Sequence, residues 1–178
     1  MSGIINSAGS KSGVIGELGG GITHAQTWRL NGHMTNITSP TVITNWTAAT
    51  QGGVATIGTS CGHSSGIFTF PRTGVWYIES YIECFDGSVI TQQYNYIQTS
   101  VDNGNTFQNA DSFKSSLPGA GGTLYSSSVG MFLFNVNSIT GSNTCKARIH
   151  MQSESNAEVS IAGSSAETRS RVTFMRIG

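Results

Sequence analysis

Residues 66–85, GIFTFPRTGVWYIESYIECF, leave this chain few folds to choose from. Strong strand formers (Ile67, Phe68 and Phe70 before, Val75 to Ile78 after) flank Pro71-Arg72-Thr73-Gly74. Proline presets one turn angle and glycine supplies the unusual one, so the segment predicts two strands joined by a tight turn. Beyond the turn the residues alternate. Trp76, Ile78, Ser80, Ile82 and Cys84 fall on one face, while Val75, Tyr77, Glu79, Tyr81 and Glu83 fall on the other. Such a strand lies between a core and something less dry. Residues 144–152 alternate in the same way: Cys145, Ala147, Ile149 and Met151 point inward, and Thr144, Lys146, Arg148, His150 and Gln152 outward.

Composition agrees with an all-β chain. At 178 residues the length suits one domain with a real core. Charged residues make up only 10%, and glycine alone contributes 23 residues, so solubility rests on hydroxyls, amides and many turns. A formal net charge of zero gives no electrostatic basis for binding nucleic acid or a membrane surface. The opening MSGIINSAGSKSG lacks a basic region followed by an apolar one, so no secretory signal is expected, and no apolar run is long enough to span a bilayer. Cys61, Cys84 and Cys145 match no disulfide framework and no zinc spacing. Cys84 and Cys145 occupy the apolar phase of their strands, which predicts buried free thiols.

Residues 1–21 form a Gly/Ser-rich arm with small apolar islands at Ile4, Ile5, Val14, Ile15 and Leu18. It breaks from the remainder, residues 22–178, at Gly19-Gly20-Gly21. Strands are predicted over 24–31, 41–48, 53–58, 65–71, 74–85, 93–101, 106–113, 123–136, 144–152, 157–162 and 169–177, with little or no helix. One phase of 131–136 should enter the core. Many short strands in one unit predict a sandwich or barrel, with a two-sheet jelly roll the leading member.

The string Phe68-x-x-Pro71-x-x-Gly74-x-Trp76 resembles the F-x-x-P-x-x-G-x-Y/W signature of C1q/TNF-like jelly rolls. The order of features also resembles that superfamily: an early tryptophan strand (TWRLNG), a mid-chain hairpin (SVDNGNTF), an apolar strand (GMFLFNV), and a closing strand (VTFMRIG). The opening GIINSAGSKSGVIG and the run from NWTAAT to TGVWYI are similar to small structural proteins of tailed, particularly marine, bacteriophages. The resemblance covers nearly the whole chain. It implies an all-β C1q/TNF-like jelly-roll sandwich with an extended N-terminal arm, usually trimeric and usually not enzymatic. The family's secreted members carry a collagen stalk, whereas this chain has no G-x-y repeat. In TNF-like trimers one sheet lines the three-fold axis, which by that likeness points to Tyr77 and Tyr81 as trimer-interface residues. Two tyrosines on one exposed strand face of a chain so poor in charge point the same way.

The candidate sites for chemistry are thin. Ser100-Val101-Asp102-Asn103-Gly104-Asn105-Thr106-Phe107 matches the Asp-box S-x-D-x-G-x-T-F of sialidase propellers, where it is a structural turn remote from catalysis, and Asp-Asn-Gly is itself a hairpin signal. His24, His33, His63 and His150 are scattered without metal-ligand spacing, and Cys61-Gly62-His63 reads as a loop. Glu79 and Glu83, four apart on one strand, would stand about 13 Å apart, too far for a glycosidase pair. No nucleophile elbow, phosphate-binding loop or dinucleotide fingerprint occurs.

The expectation is therefore a non-enzymatic virion protein, without cofactor or metal. It would be a homotrimeric jelly roll attached by its arm to the major capsid or tail protein of the particle, in the manner of a capsid decoration or cement protein. The arm side chains Ile4, Ile5, Val14, Ile15 and Leu18 would make the attachment. The alternative is a receptor-binding fibre or spike tip that recognises host-surface glycan through Trp46, Tyr94, Tyr96 and Tyr125.

Overall fold

A computed structural model describes residues 21–177 apart from 39, 87–89, 118–122 and 155–157. The arm, with Ile4, Ile5, Val14, Ile15 and Leu18, lies outside the described residues save for Gly21. Thirteen strands follow among the described residues: β1 (His24–Leu30), β2 (Met34–Ile37), β3 (Thr41–Val42), β4 (Trp46–Ala48), β5 (Gly62–Ser64), β6 (Ile67–Thr69), β7 (Gly74–Asp86), β8 (Ile90–Ser100), β9 (Gln108–Leu117), β10 (Leu124–Val136), β11 (Lys146–Ser153), β12 (Val159–Ile161) and β13 (Arg171–Arg176). Among the described residues, helix is confined to short 3-10 turns such as Gln51–Gly53 and Gly141–Asn143.

Two antiparallel sheets face each other. Sheet A has seven strands ordered β2-β12-β7-β13-β1-β4, with β10 on the other edge of β7. Sheet B has six, ordered β5-β6-β11-β8-β9, with β3 beside β11. The long strand β7 organises sheet A. It pairs with β10 from Gly74 to Asp86 on one side, and with β13 and then β12 on the other.

The alternation read in β7 holds, and that of 144–152 holds from Cys145 onward; Thr144, expected to face outward, is buried. Trp76, Ile78, Ser80, Ile82 and Cys84 are buried, as are Cys145, Ala147, Ile149 and Met151. All three cysteines are buried free thiols. The core explains why the motif residues recur. Phe68 packs on Phe174 (4.8 Å between ring centres) and Trp28 (5.7 Å), and Phe70 packs on Trp76 (5.2 Å), Phe134 (5.6 Å) and Phe174 (5.8 Å). TWRLNG, FTFPRTGVW, GMFLFNV and VTFMRIG thus each send an aromatic ring into one cluster between the sheets. The Trp76 indole is also satisfied, donating to the Arg72 carbonyl at 3.0 Å.

Three expectations need correction. The strand over 41–48 is broken, because the chain changes sheets there. Val42 pairs with His150 in sheet B, while Trp46 pairs with Leu30 in sheet A. The buried Ile43 and the Trp46 indole, donating to the Ile43 carbonyl at 2.8 Å, pin the crossing. The strand over 53–58 is absent: a 3-10 turn occupies Gln51–Gly53, and only an isolated bridge joins Ile57 to Ala25. The loop at Cys61-Gly62-His63 instead buries Cys61 and begins β5, and β2 was not foreseen at all. β2 pairs with β12 across a register shift and holds Asn36 at φ 57°, so it lacks the regular pattern of a strand.

Candidate functional site

The outer face of sheet A is built by β7, β10 and β13. Cross-strand register sets Val129 beside Tyr81, Met131 beside Glu79, and Leu133 beside Tyr77. On the other side of β7, Arg171 lies beside Tyr81 and Met175 beside Tyr77. Tyr77 and Tyr81, singled out in the sequence, are therefore brought to one surface and are half-buried there. Beside them runs an exposed apolar stripe on β10: Val129 is 45% exposed, and Met131 and Leu133 are each 57% exposed. The other phase of β10 is the one that enters the core, with Phe134 and Val136 buried.

Polar groups flank the stripe in an ordered way. Arg169 grips Glu83 through two hydrogen bonds, 3.0 and 2.7 Å, and lies over the Tyr125 ring at 5.0 Å. Arg171 approaches Glu79 at 3.6 Å and lies over the Tyr81 ring at 4.7 Å. The Tyr77 hydroxyl donates to Glu79 at 3.4 Å. Burial, then the neighbouring Glu79 charge, raises the pKa of Tyr77. Glu79 and Glu83 thus each have an arginine partner on this face.

The four aromatic residues offered as ligand contacts do not form one site. Trp46 is a core residue, buried beside Leu30, which corrects its assignment to the surface: the strand that carries it has crossed to sheet A and turns its ring inward. Tyr125 is 53% exposed but belongs to sheet A, stacked on Phe85 at 5.6 Å. Only Tyr94 and Tyr96 come together, on the outer face of sheet B, with rings 6.3 Å apart and nearly parallel. The Lys114 ammonium lies 4.5 Å above the Tyr94 ring, so this pair presents edges and hydroxyls more than open ring faces. His150 sits beside Tyr96, and burial followed by the Arg148 charge lowers its pKa, keeping the imidazole neutral near pH 7.

The Asp-box folds as the hairpin expected of it. Asp102 accepts from the Ser100 hydroxyl (2.6 Å), the Thr106 amide (3.0 Å) and the Thr106 hydroxyl (2.6 Å). Asn103 and Gly104 take the positive φ values, 62° and 85°, that the turn requires. Ser100 and Thr106 hold the Asp102 carboxyl down at about 2. In the core, burial pushes the Cys61 and Cys84 thiols up to about 12, which removes them as nucleophiles at neutral pH. No group of three or more metal-ligating side chains occurs among the described residues.

Sequence reasoning missed Val129, Met131 and Leu133 as surface residues. GMFLFNV is apolar at both phases, so periodicity could not say which side faced water; pairing with the clearly alternating β7 decides it.

Two facing antiparallel sheets with this arrangement define a TNF-like jelly roll. Murine APRIL in its crystal structure at pH 8.5 is similar over 86% of this chain and 98% of its own, with a TM-score of 0.58 and 10% identity. Eiger TNF from S. frugiperda is similar over 89% of this chain and 94% of its own, with a TM-score of 0.61 and 10% identity. At such low identity the likeness speaks to the fold. No protein-family model matches the chain, and no curated protein sequence matches it.

Proposed function

We propose that this chain is a non-enzymatic homotrimer whose subunits meet through the outer face of sheet A, and that it serves as a structural component of a virus particle. The observation that carries the proposal is the stripe of Val129, Met131 and Leu133 beside Tyr77 and Tyr81. Contiguous apolar surface is uncommon on a monomer and common in the centre of an interface. The Arg169–Glu83 and Arg171–Glu79 pairs border it as a polar rim would. The resemblance of the sequence to C1q/TNF-like jelly rolls supports the three-fold stoichiometry.

The particle role rests on residues 1–21 and on the likeness to phage structural proteins. Ile4, Ile5, Val14, Ile15 and Leu18 are too sparse for a core but suit grooves on a partner. Ordering such an arm costs about 1–2 kcal/mol per residue. Five aliphatic side chains at about 1.5–3 kcal/mol each do not cover that. Backbone hydrogen bonds, as in an added strand, supply the remainder in this reading. Deleting residues 1–21 is expected to leave a folded head that no longer assembles onto its particle; normal decoration by the truncated chain would contradict the attachment role. A second reading, recognition of host-surface carbohydrate by a fibre or spike tip, is favoured by the polar, cationic outer face of sheet B.

A further inference from the structure

Four exposed aliphatic side chains gather at the end of the sandwich where the described chain begins and ends. Ile22 lies just ahead of β1, Val75 at the start of β7, Ile177 just past β13, and Ile57 beside β1. The Ile177 amide donates to the Val75 carbonyl at 2.9 Å, so these two are neighbours across the strands. Ile57 bridges to Ala25, Ala25 pairs with Met175, and Met175 pairs with Tyr77. Bridged residues share a face, so one apolar row crosses the outer side of sheet A, with Val75 and Ile177 in the next row. The row spans about 14 Å, three strand spacings.

The same end is cationic. Arg176 Nε donates to the Thr73 carbonyl at 2.9 Å and its Nη1 to the Thr23 hydroxyl at 3.1 Å, which fixes the guanidinium beside Ile22. Arg72 stands exposed in the turn before β7. Desolvation, then the Arg72 and Arg176 charges, lowers the pKa of His24, which puts both guanidiniums near one imidazole. Neither arginine has an ion pair among the described residues.

The chain supplies a matching segment, tethered at this end. Val14, Ile15 and Leu18 precede Gly21 by three to seven residues, a reach of about 10 to 24 Å when extended. Glu17, in the same stretch, is the only carboxylate in residues 1–21. A segment on so short a tether is held at an effective concentration of about millimolar, so modest contacts suffice to dock it.

We propose that residues 14–18 fold back onto this end of their own head, with Val14, Ile15 and Leu18 on the Ile22, Ile57, Val75 and Ile177 surface and Glu17 against Arg72 and Arg176. Apolar surface and unpaired cations are then covered by the one nearby segment that carries both complements. The contact belongs to the free chain and goes beyond the particle reading: a groove on a particle would compete with the head for the same three side chains.

The test is limited digestion of the full chain with a glutamate-specific protease, for which Glu17–Leu18 is the single site in the arm. Release of the 1–17 fragment, followed by mass spectrometry, should be roughly tenfold slower than from a free peptide of residues 1–23, because cutting tracks the undocked population. Ile57→Ser and Ile177→Ser alter exposed side chains and should each speed release severalfold while circular dichroism shows the head still folded. Arg72→Gln should speed it at low salt and lose that effect at high salt. Val129→Lys, at the far end of the β10 stripe, should leave release slow even where it dissociates an assembly. Release as fast as from the peptide, or a rate indifferent to both isoleucine changes, overturns the inference and leaves particle attachment standing. Fast release in Val129→Lys alone would give the segment to a neighbouring subunit and overturn the choice of the chain's own head.

Discussion

Asp102 shows how much one side chain in a surface turn can organise. Its carboxylate closes the β8–β9 turn by accepting three hydrogen bonds, and these hold its pKa at about 2, below the ordinary value of 3.8. A folded-state pKa below the unfolded one means that the ionised form favours the folded chain. The contribution is fully present above pH 4 and is lost as pH falls toward 2. Denaturation midpoints measured from pH 5 to pH 2 should therefore drop less steeply in Asp102→Asn than in the parent. Ile78 is the opposite case, a side chain whose role is volume. It is fully buried in β7, in register with Phe132 on β10 and Phe174 on β13. Ile78→Ala should cost about 2–5 kcal/mol in chemical denaturation, because neighbours anchored in two adjacent strands cannot collapse into the gap.

At the scale of elements, β9 and β10 interlock through a residue that has no side chain. A Cβ on Gly130 would lie 2.2 Å from the Phe113 ring, and Asp111 accepts from the adjacent Met131 amide across the same gap. Gly130→Ala should push Phe113 aside and raise hydrogen exchange at the Met131 amide; unchanged exchange and melting temperature would show the contact to be loose. Near the polar end of the core, Asn95 donates to Ser128 at 3.1 Å and accepts from Gln93 at 3.2 Å, joining β8 to β10. Asn95→Ala should cost about 1–3 kcal/mol in a denaturant titration by leaving both partners buried and unpaired. Elements of this kind divide into those the sequence announces and those it hides. β7 and β11 are announced because their alternation is strict over their whole buried length. The path from β3 to β4 is hidden because a change of sheet between Val42 and Trp46 is a tertiary event with no local signature. β5 is hidden because Gly62, His63 and Ser64 have no strand preference and pair only through the neighbouring β6.

For the whole molecule, the two sheets present different outer faces. Sheet A offers an apolar stripe beside half-buried tyrosines, with Glu79 and Glu83 paired to Arg171 and Arg169. Sheet B offers a polar surface on which Lys146 and Arg148 stand free of carboxylates. Assembly through the first would leave the second directed outward, and a particle protein needs both an adhesive side and a presented side. If the stripe is an interface core, Leu133→Lys places an unpaired charge in it and should dissociate the assembly without unfolding the subunit, as read by sedimentation together with circular dichroism. The most direct test is the molar mass of the unmodified chain in solution at micromolar concentration, measured by light scattering on a sizing column. The account predicts a single species of three times the 18.7 kDa chain mass. A stable species of one chain mass, with Val129, Met131 and Leu133 left facing water, would contradict it.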